Sequence, residues 1–154
     1  MLKETKKNRN KKRGFTIVEV ALSIAIIAII AGLTVPFYRV FQTQNDLEVT
    51  VSTTAQKIRK AQIFSQSGEG DSKWGVSIQE EKLIFFKGES YNDRDQDFDE
   101  IYLMPLSITA SGLNEVIFDK LTGEPQLTGT ITFVSDPDKT RSITVNSMGI
   151  INYD

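Results

Sequence analysis

Residues 12–38 read KRGFTIVEVALSIAIIAIIAGLTVPFY, and this stretch decides what kind of chain the remaining residues belong to. From Val20 to Tyr38 no side chain is charged, and between Val20 and Phe37 only Ser23 and Thr34 are polar. A helix over 15–37, at about 1.5 Å per residue, is about 35 Å long and covers a hydrocarbon core of about 30 Å. Glu19 stands on the first turn of that helix, where an acid placed centrally in hydrocarbon costs about 2.5–3.5 kcal/mol. An interfacial position and the positive end of the helix macrodipole relieve part of that cost. A free amine near Phe15 relieves more, and one exists only if the Gly14–Phe15 bond is cut.

Working outward, residues 1–14 hold Lys3, Lys6, Lys7, Arg9, Lys11, Lys12 and Arg13 against Glu4, a net of +6. Residues 15–154 hold 11 basic and 19 acidic side chains, a net of −8. The basic block is expected to stay cytoplasmic by the positive-inside rule, which delivers everything after Phe37 to the outer side. No Ala-x-Ala cleavage pattern follows the apolar run, so the helix is expected to be retained. Within it, Pro36 has no N–H for the carbonyl of Gly32, and glycine is a weak helix former. Gly32 to Pro36 is therefore expected to be its softest turn.

The junction Lys12-Arg13-Gly14-Phe15-Thr16-Ile17-Val18-Glu19, followed by the apolar run, resembles the type IV pilin and pseudopilin family with its prepilin-type cleavage and methylation segment. The resemblance implies that a membrane aspartic peptidase cuts after Gly14 and N-methylates Phe15. It also implies that Glu19 pairs with the N-terminal ammonium of a neighbouring subunit during filament assembly, and that the helix loosens near Pro36. The implied partners are the prepilin peptidase/methyltransferase, other pilins or pseudopilins, and an inner-membrane assembly platform.

Beyond Pro36, Phe37, Val40, Phe41, Leu47, Val51, Ala55, Ile58 and Ala61 recur at three- and four-residue spacing, which predicts an amphipathic continuation of the helix to about Phe64. Its threonines and valines lower helix propensity, so one face must pack on something. Ser65 to Lys73 reads as a loop. Short β-rich runs follow at Trp74–Gln79, Lys82–Lys87, Glu100–Met104, Leu106–Ala110, Glu115–Phe118, Leu127–Val134, Arg141–Val145 and Gly149–Tyr153, with turns at Asp119–Gly123 and Asp136–Lys139. Such strands bury a core by laying a sheet face on the amphipathic helix. Trp74-Gly75-Val76, Leu83 to Gly88 and Ile143-Thr144-Val145 further resemble the minor-pseudopilin branch of the general secretion pathway protein H and fimbrial protein T type.

The chain has no His and no Cys, which excludes Ser-His-Asp and Cys-His catalysis, thiolate or imidazole metal sites, and disulfides. No nucleophile stands in a strand-to-helix elbow, and no enzyme is expected. Asp93, Asp95, Asp97 and Asp99 are the calcium candidates, but an EF-hand fails at Phe98, where Gly is needed, and at Met104, where Glu is needed. A solvated surface loop from Asp93 to Glu100 without metal is the favoured reading, and no cofactor is expected. Lys57, Arg59 and Lys60 form a basic cluster, read as a helix surface or subunit contact. A net of −8 repels nucleic acid, and the Gly-Arg-x-Arg stretch of the DNA-binding fimbrial T proteins is missing.

The expected fold is α+β: a long N-terminal helix, membrane-spanning then amphipathic, packed on an antiparallel β-sheet head. The expected divisions are a cleaved leader over 1–14, a transmembrane and filament-core helix over 15–37, an amphipathic helix over 38–64 and a β-rich head over 74–154. The expected role is a minor pilin or pseudopilin of a type II secretion or type IV pilus filament, single-pass in the bacterial cytoplasmic membrane before assembly. A filament-tip module binding DNA, a surface or a secreted substrate is the alternative.

Overall fold

The computed structural model describes residues 14–135 and 139–153, and of residues 33–41 and 43 the backbone alone. The leader up to Arg13 and the expected turn at Asp136-Pro137-Asp138 lie outside the described residues. The chain divides after Tyr38 into two compact units. One helix, α1 (Ile17–Ser67), begins in the first and ends in the second.

In the first unit α1 starts at Ile17, two residues later than expected, because Thr16 turns the chain into it. Every described side chain from Phe15 to Ala31 is exposed. These residues are almost all apolar around the whole circumference, a pattern stable only in an apolar surrounding. Among the described residues no helix is long and apolar enough to cross a membrane. The uncharged run continues into residues 33–38, whose side chains are outside the description.

In the second unit α1 presents Leu47, Val51, Ala55, Ile58 and Ala61 inward, all buried and spaced as the helical period requires. The helix extends to Ser67, three residues past the expected end. Its last turn is held from outside: Ser65 carbonyl accepts the N–H of Gly68 (3.1 Å) and of Leu121 (2.8 Å). Gly68 then turns the chain at φ 67° into a 3-10 turn, Glu69–Asp71, within the stretch expected as loop.

The head contains two four-stranded antiparallel sheets rather than the single sheet expected. The strands are β1 (Trp74–Ile78), β2 (Lys82–Gly88), β3 (Arg94–Leu103), β4 (Ile108–Gly112), β5 (Glu115–Phe118), β6 (Gly129–Ser135), β7 (Lys139–Val145) and β8 (Ile151–Tyr153). The first sheet has the order β3-β2-β1-β5 and the second β4-β6-β7-β8. One apolar cluster gathers the α1 residues with Val76, Phe85 and Phe118 of the first sheet and Ile131, Phe133 and Ile143 of the second. Alternation along β2 sends Phe85 into this cluster and Ile84 and Phe86 to the other face, where they meet Ile117 and Tyr91. Gly75 makes room for that arrangement, since a Cβ there would lie 2.8 Å from Phe86 Cζ and 2.8 Å from the Val116 carbonyl oxygen.

The largest departure from expectation is the acidic stretch. Asp93 to Glu100 is not a loop; Arg94 onward forms the ten-residue strand β3 on the sheet edge. Asp93, Asp95, Asp97 and Asp99 recur every second residue, the period of a strand, although their charge suggests a solvated loop. Pairing runs Phe85 to Glu100 and Lys87 to Asp95, so four residues of β3 bulge out opposite Phe86.

Candidate processing and assembly site

Gly14, Phe15 and Thr16 precede α1 without helical structure, and a side chain at Gly14 would meet nothing within 4 Å. Phe15 is 82 % exposed. An accessible, non-helical segment is what a peptidase needs in order to draw a backbone into its cleft. Immediately after it, Thr16 Oγ1 accepts the Glu19 N–H at 3.2 Å and Thr16 carbonyl accepts the Val20 N–H at 3.2 Å. Thr16 is thus the N-cap and Glu19 the third helical residue, the positions of a Thr-x-x-Glu capping box. The sequence reading missed this role of Thr16, and the four-residue pattern before an apolar run is the signal that carries it.

The cap fixes where Glu19 sits. Its carboxylate is on the first turn, exposed, and makes no ion pair among the described residues. Ser23 Oγ donates to the Glu19 carbonyl at 2.8 Å, so the only other polar side chain nearby is turned to the backbone. Gly32 lies within α1 with open space around it, and Pro36 lies within the helix, its side chain outside the described residues.

In the head the remaining candidates are placed differently from expectation. The basic cluster is not a free surface. Lys57 and Lys60 both reach Glu100 on β3, Lys57 Nζ at 2.9 Å, and Lys57 also donates to the Tyr102 hydroxyl. Arg59 donates to the Ile151 carbonyl at 3.4 Å. The Lys60 and Lys57 ammonium groups hold Glu100 down to about 2, against a smaller opposing effect of burial. Burial pulls Lys57 down, but its bonds to Tyr102 and Glu100 outweigh that and leave it raised. Trp74 closes the same region: its indole N–H donates to Glu69 carbonyl at 2.8 Å, and its ring stacks on Phe85 at 5.1 Å.

The calcium candidates do not converge. Asp99 is bound by Arg94 Nε at 2.9 and 3.0 Å, and Asp95 Oδ1 accepts the Asp97 N–H at 3.3 Å. Among the described residues no three acidic side chains gather as a cation would require. Arg94 occupies the Asp99 carboxylate, and Asp97 lies within the four-residue bulge.

Comparison with known proteins finds similarity to one sequence family and to two solved structures. Residues 9–35 match the family described as the prokaryotic N-terminal methylation motif. No curated protein matches. The fold is similar to that of the minor pseudopilin EpsH from the type 2 secretion system of Vibrio cholerae in two solved structures. One superposes with a TM-score of 0.55 at 12 % identity, covering 71 % of this chain and 96 % of that one. The other gives 0.54 at 9 % identity, covering 71 % and 93 %. The chain thus carries a methylation motif at the start of an apolar helix and has a fold similar to that of EpsH.

Proposed function

We propose that this chain is a structural subunit, a minor pseudopilin of a type II secretion or type IV pilus filament, and not an enzyme. The observation that carries the reading is the junction: an accessible Gly14–Phe15 bond, a capped helix start at Thr16, and an unpaired Glu19 on the first turn of an apolar helix. In this reading a prepilin peptidase cuts after Gly14 and methylates Phe15. The chain waits in the cytoplasmic membrane as a single-pass protein over residues 15–37 with its head outside. Cleavage removes seven basic residues and one acidic residue and creates an ammonium group at Phe15. Glu19 then pairs with the Phe15 ammonium of a neighbouring subunit, which offsets the cost of carrying a carboxylate into the apolar core of a filament. Gly32 to Pro36 is the turn at which the helix gives way as it passes from lipid to filament, and the assembly platform and other pilins are the partners.

Co-expression with a prepilin peptidase tests this directly. Intact-mass measurement should find the chain without its first 14 residues and with one methyl group on Phe15. A full-length product, or a cut within the apolar run, overturns the reading.

A further inference from the structure

We draw no further inference here: the strongest candidate, the crevice of about 400 Å³ between the bulge of β3 and the end of α1, walled by Phe64, Trp74, Phe85 and Phe98, carries nothing, because the chain's own Lys60 and Lys87 ammonium groups already lie over the Phe64, Phe85 and Phe98 rings and nothing in the structure shows what else would cover it.

Discussion

At the residue scale, one hydroxyl organises the N-terminal junction. Thr16 satisfies the Glu19 N–H, which would otherwise be one of the unpaired donors at the start of α1. Thr16→Ala should cost about 1 kcal/mol of helix stability and fray the first turn, read as faster amide exchange at Glu19. Unchanged exchange there would show that the cap is idle. Glu19→Ala tests the pairing proposed for that residue. It removes a charge from an apolar helix, so membrane insertion should be retained or improved, while cross-linking to neighbouring pilins should fall. Full cross-linking of the variant would defeat the pairing idea. The motif over residues 9–35 was legible in the sequence because its signal is local, a handful of adjacent residues whose spacing has chemical meaning. Thr16 carries a local signal too, a Thr-x-x-Glu spacing before an apolar run, but Phe15 and Glu19 beside it are the more conspicuous residues.

At the element scale, α1 is fastened to β3 by the Lys57–Glu100–Lys60 group, contacts between residues 43 and 40 positions apart. No sequence pattern announces such a pair. Read alone, the three cations of 57–60 look like a surface cluster, and the acids of 93–100 like a loop. Only the fold shows that Lys57 and Lys60 neutralise Glu100. The pH dependence follows from the lowered value of Glu100. Its stabilisation is present above the ordinary carboxylate range near 4.5 and is lost as pH falls toward about 2. Because Glu100 is partly exposed, solvent screening limits the effect to about 1 kcal/mol. Glu100→Gln should thus lower the melting temperature at pH 7 and flatten its decline between pH 4.5 and 2; parallel acid profiles for the two proteins would exclude the clamp. The acids of β3 make a separate prediction. With no third acidic side chain gathered beside them among the described residues, Asp95 and Asp97 should respond alike to Ca²⁺ and Mg²⁺ at matched ionic strength, through screening alone. Calcium-specific stabilisation, lost in Asp95→Asn with Asp97→Asn, would contradict this geometry.

At the scale of the whole molecule, the chain joins two units that obey different rules. The residues of α1 up to Ala31 are apolar on all sides and bury nothing among the described residues, whereas every member of the main core cluster lies at Leu47 or later. The alternating period of the strands and the helical period of 47–61 made the α+β class legible, since each reports only which face of an element turns inward. The second sheet was not legible, because which strands become neighbours depends on long-range pairing, such as β4 with β6, that local period does not encode. That separation of cores carries a prediction. A chain beginning at Gln42 retains all of the core cluster and should melt cooperatively within a few degrees of the full chain in detergent. Within it, Gly75→Ala forces a Cβ against Phe86 and the Val116 carbonyl and should cost about 1–3 kcal/mol. Melting of the shortened chain more than about 10 °C lower would mean that the apolar half of α1 also holds the head together. In the proposed reading, a head whose stability is complete without that half leaves the helix free to exchange lipid for the helices of neighbouring subunits, which is the transition assembly would require.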